Sequence, residues 1–121
     1  AIFHKYKHQG GYLGLPRRVF ESPQYRTLSL KARCLLDELQ NIHRPGRNGR
    51  IVLSYETAAR NLGVTYNTVS KAFLELQQTG FISLNLDADH RIGRAREWRL
   101  TYEPCNGREP TDDWKYETSK I

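Results

Sequence analysis

The sequence contains no methionine, only two cysteines and no long apolar run. The two cysteines are too few and too isolated for a disulfide scaffold or a zinc site, and they indicate a protein of a reducing cytoplasm. No apolar stretch approaches the roughly 18 residues of a membrane span, and the first residues do not form a signal peptide. We therefore expect no membrane partner. Because even the initiator methionine is absent, we also expect either a processed protein or a fragment of a longer one.

Acidic residues are outnumbered, with 13 Asp and Glu against 19 Lys and Arg, which gives a formal charge of +6. Residues 1–102 hold 16 of the basic residues and 8 of the acidic ones, whereas residues 103–121 hold 3 and 5. The positive charge therefore belongs to the body of the chain. Such a body is typical of a protein with an anionic partner.

Residues that could carry out catalysis are sparse. The four histidines, His4, His8, His43 and His90, lack the spacing of metal ligands, and no Ser/His/Asp or Cys/His grouping is evident. No glycine-rich phosphate loop follows a predicted strand. The sequence thus predicts a protein that is not an enzyme, with no catalytic residue, no metal and no cofactor.

Apolar residues at helical spacing predict three central helices, which cover residues 29–42, 54–63 and 65–79. Each begins at a hydroxyl side chain that can cap it, namely Ser29, Ser54 and Thr65. Gly63 is suited to end the second helix, because glycine readily adopts the left-handed conformation. Cys34 falls within the apolar pattern of the first helix and is predicted to be a small core residue.

Alternating apolar residues predict strands after these helices. Residues 81–86 and 98–102 form a predicted hairpin, with Ile82, Leu84 and Leu86 on one face. A further short strand is predicted at residues 51–53. The resulting organisation is an N-terminal arm with short helical turns, a central domain and a polar C-terminal tail that Trp114 is expected to anchor. These parts span residues 1–27, 28–102 and 103–121.

The second and third helices have the features of a helix-turn-helix, in which two helices cross steeply after a short turn. Ala58 and Ala59 leave room at the crossing, and Gly63 can adopt the positive φ of the turn. Apolar residues beneath the turn can hold the angle between the helices; they are Leu62, Val64 and Val69. The second helix of such a unit lies in the DNA major groove.

The outer face of the third helix is polar, with side chains that are mostly short: Thr65, Tyr66, Asn67, Thr68, Ser70 and Lys71. Asn67 is able to pair with adenine, Lys71 with guanine or a phosphate, and Thr68 with a thymine methyl group. These six residues are the predicted DNA-reading positions. A capped helix with a polar face also occurs in many small proteins that bind no nucleic acid, so this pattern alone leaves both interpretations open.

The predicted hairpin tip, residues 87–96, is rich in positive charge. Arg91, Arg94 and Arg96, together with His90, are candidates for contact with phosphates or the minor groove. The alternative is a solvated turn in which Asp87 and Asp89 neutralise part of the charge. Further arginines are weaker candidates for phosphate contact. They are Arg44, Arg47 and Arg50 in the loop after the first helix and, weaker still, Arg17 and Arg18.

The stretch SYETAARNLGVTYNTVSKAFLELQQTGFI resembles the winged helix-turn-helix of GntR-type regulators, through its LGV-x-x-x-TV core and its L-x-x-x-GFI ending. The resemblance is strong over about 30 residues and extends loosely over 28–102. The chain is also similar to winged helices of small phage and plasmid regulatory or replication proteins. GntR-type regulators carry a large C-terminal effector or dimerisation domain, whereas this chain has a short polar tail, so no small-molecule effector is supported.

The resemblance implies an α+β fold, namely a mainly helical winged helix-turn-helix of three core helices and a C-terminal β-hairpin wing. It also implies that the six polar residues of helix 65–79 read double-stranded DNA in the major groove, with the wing on the flanking backbone or minor groove. We expect a transcriptional regulator in the bacterial cytoplasm, close to the nucleoid. A homodimer is compatible with this, although no segment after the wing predicts a dimer helix.

Two alternatives remain open. The first keeps DNA as the partner and makes the chain a replication initiator or accessory domain of a phage or plasmid. The second is a winged helix used for protein interaction, in which Tyr66 and Leu74 would meet another protein. Origin binding would distinguish the first, and absence of salt-sensitive duplex binding would favour the second.

Overall fold

A computed structural model describes residues 11–115. The predictions made for residues 1–10, including His4 and His8, and those for residues 116–121 lie outside this range. Within it the fold is α+β, as predicted, with five α-helices and a two-stranded antiparallel sheet. The elements in chain order are α1 (Arg17–Phe20), α2 (Pro23–Arg26), α3 (Leu30–Ile42), α4 (Tyr55–Leu62), α5 (Tyr66–Gln78), β1 (Ile82–Leu86) and β2 (Glu97–Leu100).

The three longer helices begin at the predicted caps, Ser29, Ser54 and Thr65. Each cap hydroxyl accepts a hydrogen bond from the backbone N–H three residues later, at 3.0–3.2 Å. This bond satisfies an N–H that has no partner inside the helix. Gly63 ends α4 at a φ of +68°, which confirms the predicted left-handed turn.

The core lies between α3, α5 and the sheet, and α4 packs against both α3 and α5. Ala58 is fully buried, as expected of a small residue at a helix crossing. The central side chains are less than 2% exposed and come from α3, α5, β1 and β2: Leu35, Leu36, Leu39, Val69, Phe73, Leu76, Ile82 and Leu100. Burial of this apolar surface is the main stabilising term of the fold.

Cys34 is exposed, so its prediction as a core residue is wrong. The buried stripe of α3 passes through Ala32, Leu35 and Leu36. Because successive residues of a helix are rotated by about 100°, Cys34 lies beside this stripe and faces outward.

The hairpin pairs Ile82 with Leu100 and Leu84 with Trp98. A bulge after Leu84 then shifts the register, so Leu86 lies opposite Glu97 and is 36% exposed. The prediction that Leu86 shares the inner face is therefore wrong, because an extra residue in one strand interrupts the alternation of side chains.

The prediction of a strand at residues 51–53 is also wrong, because only Ile51 forms a β-bridge. Its N–H and C=O exchange hydrogen bonds with Trp98 at 3.2 and 2.8 Å. The pairing does not continue, since Ser54 already caps α4. Among residues 11–115, none of the helices is long and apolar enough to cross a membrane.

The segment after β2 packs on the body. Trp114 lies in a short 3-10 turn, Asp113–Lys115, is 3% exposed and stacks on Phe81 with ring centroids 5.7 Å apart. Its role as an anchor is thus confirmed. Arg18 reinforces the contact, because its Nη1 donates to Asp112 Oδ1 at 2.8 Å.

Asp112→Asn tests this attachment. Burial would raise the pKa of the Asp112 carboxyl, but hydrogen bonds from Arg18 and Trp114 outweigh burial and hold this pKa below its ordinary value. The side chain of Arg18 is 43% exposed, so solvent screening limits the expected loss at neutral pH to about 1 kcal/mol or less.

The full difference in the free energy of unfolding between the wild type and Asp112→Asn should be present above about pH 4, the ordinary pKa of an unfolded aspartate. It should shrink as pH falls through the lower folded pKa, because the wild-type carboxylate is then protonated too. Urea unfolding at neutral and acidic pH measures the difference. A difference that grows toward acid would contradict this account.

Candidate nucleic-acid interface

The N-terminal half of α5 presents a polar surface to solvent. Thr65, Asn67 and Lys71 are exposed, and Tyr66 is 56% exposed. The side chains of Asn67 and Lys71 make no hydrogen bond or ion pair within residues 11–115, so their polar groups are available to a partner.

The other two predicted reading residues lie at the borders of this surface. Thr68 is half-buried beside Leu62 and Val64, and its hydroxyl is 2.9 Å from that of the cap residue Thr65. Ser70 is half-buried on the opposite border, in a groove that faces the hairpin. Four of the six predicted DNA-reading residues therefore lie exposed on one strip at the start of α5, and Thr68 and Ser70 lie at the edges of this strip.

A column of four aromatic rings supports the start of α5. Tyr66 lies 5.2 Å from Tyr55, Tyr55 stacks on Phe73 at 4.7 Å, and Phe73 stacks on Trp98 at 5.4 Å between ring centroids. The column joins α4, α5 and β2. Contacts of this kind add to the energy gained from burying the rings and favour particular orientations, so the polar surface of α5 rests on packed aromatic side chains.

The hairpin tip is a closed turn. Asp89 and Arg94 exchange two backbone hydrogen bonds of 2.9 Å each. Between them lies a 3-10 turn, His90–Ile92, followed by Gly93 at a φ of +68°. This closure displays the tip residues on a defined loop, with the side chain of Arg91 89% exposed and His90 also exposed.

Aspartates at the tip pair with the predicted contact residues. Arg91 Nε lies 3.4 Å from Asp89 Oδ1, and Arg96 Nε lies 3.4 Å from Asp87 Oδ1. Arg94 is half-buried, and its Nε donates to the Asp87 carbonyl at 3.1 Å. The tip thus combines the two arrangements left open by the sequence, since its cations are displayed but part of their charge is neutralised locally.

Arg47 and Arg50 are exposed but lie elsewhere. Asn48, one of the two residues between them, is buried, and its side chain exchanges two hydrogen bonds of 2.8 Å with the backbone of Leu100. Leu100 is the end of β2 farthest from the hairpin tip. The structure therefore places these two arginines at the base of the hairpin and does not bring them to the tip.

The hairpin tip and the start of α5 border one groove of about 400 Å³. Tyr66 lines it from α5, Tyr55 from α4, and His90 and Arg96 from the tip region. Within this groove Arg96 Nη1 donates to the Tyr55 hydroxyl at 3.1 Å. The polar strip of α5 and the basic tip are therefore neighbours on the same side of the molecule.

Tyr55 is the residue of this surface that sequence reasoning missed. It follows the cap Ser54 directly, so its position at the first turn of α4 was readable. Its contacts with Arg96 and Tyr66 arise from tertiary packing, which no local pattern encodes.

Residues 11–115 contain no group of three or more His, Cys, Asp or Glu side chains placed to hold a metal ion. In comparisons with known protein families, with curated proteins and with solved structures, no match to this chain was found.

Proposed function

We propose that the chain is a winged helix-turn-helix protein that binds specific sequences of double-stranded DNA as a transcriptional regulator. In this proposal α5 enters the major groove and residues 87–96 act as the wing. The observation that carries the proposal is the groove shared by Tyr66 and His90, because it puts the reading helix and the basic tip on one side. An extended duplex can meet both elements at once only in such an arrangement.

Dimensions and chemistry support this assignment. The major groove, about 12 Å wide, admits one α-helix, and the exposed polar side chains of α5 lie at its N-terminal end, where recognition helices contact bases. Asn67 has the amide that pairs with adenine, and Lys71 can reach guanine or a phosphate. Specificity would thus come from α5.

Arginines of the wing would provide sequence-independent affinity. Arg91 is the most exposed of them, and Arg94 lies beside it at the tip. Each phosphate contact releases counterions and contributes about 0.9 to the slope of log K against log salt concentration. The proposal also includes the cytoplasm near the nucleoid as the site of action and a homodimer on symmetric sites.

Arg91→Ala tests the wing contact. We expect weaker binding to every duplex, whatever its sequence, and a salt slope reduced by about 1. Fluorescence anisotropy with a labelled duplex at several salt concentrations measures both. Arg108→Ala is the matched control, since Arg108 is an exposed arginine in another turn. Equal slopes for the wild type and Arg91→Ala would contradict the assignment of the wing.

A protein partner is the second candidate function, because Leu74 on the exposed face of α5 is itself 52% exposed. Duplex binding that is absent at moderate salt would favour it. If DNA is bound, mapping of the bound sites separates regulation at promoters from initiation at a replication origin.

A further inference from the structure

Arg96 differs from the other arginines of the hairpin tip, because its guanidinium contacts the side chains of two different residues. Nη1 donates to the Tyr55 hydroxyl at 3.1 Å, and Nε faces Asp87 Oδ1 at 3.4 Å. The Arg96 side chain is 48% exposed, compared with 89% for Arg91. The geometry thus ties Arg96 to the protein more closely than the residue at the tip.

Tyr55 is a fixed partner for this arginine. Its ring stacks on Phe73 with an interplanar angle of 20° and also contacts Tyr66, at 5.2 Å between ring centroids. Packing against two neighbouring rings restricts the orientation of this ring, so its hydroxyl has a defined position at the start of α4. Because the Tyr55 ring is already packed, the hydrogen bond positions Arg96 with little additional loss of conformational entropy at Tyr55.

This contact also links two parts of the surface. Within residues 11–115, the bond from Arg96 to Tyr55 is the one side-chain hydrogen bond between the hairpin tip, residues 87–96, and the helices. The strands continue beyond the tip into the core, but the tip itself is bonded to α4 here, at a tyrosine whose ring contacts Tyr66 of α5. Loss of the bond would leave its orientation relative to α5 less well defined.

We propose that Arg96 is a positioning residue, which with Tyr55 sets the wing at the distance from α5 that a duplex requires, and is not itself a phosphate ligand. This inference rests on the proposed DNA-binding function. Arg96 already directs Nη1 at the Tyr55 hydroxyl and Nε at Asp87, and the Asp87 carboxylate would repel a phosphate placed beside this guanidinium. Arg91 is also paired, with Asp89 through Nε and Nη2 at 3.4 Å, but its side chain is 89% exposed and has no hydrogen bond to the helices within residues 11–115, so it is the better placed of the two for a phosphate.

Tyr55→Phe tests the proposal, because it removes the hydroxyl while keeping the ring and the net charge. We expect affinity for the preferred duplex to fall by about threefold to tenfold, the worth of one hydrogen bond. The salt slope should stay unchanged, since no phosphate contact is lost. Tyr25→Phe, at a buried tyrosine outside this surface, is the matched control.

A double-mutant cycle with Arg96→Gln identifies the partner. If the two residues act as a unit, Tyr55→Phe has no further effect once Arg96 is replaced. Full affinity of Tyr55→Phe, or effects of the two replacements that add, would overturn the proposal. So would a salt slope that falls by about 1 in Tyr55→Phe.

The wing can also be observed without DNA. NMR order parameters of the backbone amides at the tip should fall in Tyr55→Phe and remain unchanged in Tyr25→Phe. If the wild type binds no duplex while the order parameters fall, the proposed function fails, and only the ordering of the hairpin tip by the bond between Tyr55 and Arg96 stands. If the wild type binds DNA and Tyr55→Phe changes neither affinity nor order parameters, the positioning role alone fails.

Discussion

Trp114→Ala should lower the free energy of unfolding by about 3–5 kcal/mol, the usual range for removing a large buried aromatic side chain. Trp114 is 3% exposed and lies almost parallel to Phe81, at an interplanar angle of 7°. Removing the indole leaves a cavity against Phe81, which is itself fully buried. Urea unfolding followed by circular dichroism measures the loss.

Trp114→Phe separates packing from hydrogen bonding. This variant keeps an aromatic ring against Phe81 but loses the N–H that donates to Asp112 at 3.1 Å. We expect a loss of about 1 kcal/mol, much smaller than that for alanine. If Trp114→Ala unfolded at the wild-type urea concentration, the segment after β2 would not belong to the folded core.

Asn67→Ala should reduce affinity for the preferred duplex by about 1–3 kcal/mol, which corresponds to about a fivefold to 150-fold higher dissociation constant. Its side chain is exposed in the first turn of α5 and has no internal partner in the described chain, so the protein itself should remain equally stable. Affinity for unrelated duplexes should change little. Competition binding with both duplexes measures the selective loss.

Gln78→Ala is the matched control, because Gln78 is an exposed amide at the opposite end of α5. It should leave both affinities unchanged. An equal loss of affinity from the two variants, or no loss from Asn67→Ala on a measured preferred site, would contradict the assignment of the reading surface.

Local signals in the sequence were sufficient for the helices. The caps Ser29, Ser54 and Thr65 and the left-handed Gly63 act within four residues of chain, so spacing alone could locate them. The spacing of apolar residues in α3 and α5 likewise predicted which face of each helix is buried. The exposed polar strip on α5 was predictable because it is the complement of the apolar face; its role in reading DNA stays a prediction.

Contacts between distant segments were not predictable. The bulge after Leu84 and the single bridge at Ile51 depend on how strands meet, which periodicity does not encode. The wrong prediction for Cys34 has a different cause. Its position beside the apolar stripe could be read from the helical spacing, but its apolar character was given more weight than that position. The bond between Tyr55 and Arg96 joins residues 41 positions apart and appears only in the folded chain.

Selection from a random pool of DNA duplexes by the wild-type chain tests the central claim most directly. The account predicts that one sequence is enriched and that it binds about 10³-fold more tightly than an unrelated duplex at the same salt concentration. A pool that remains random after selection, with equal affinity for all duplexes or none for any, would contradict sequence-specific DNA binding.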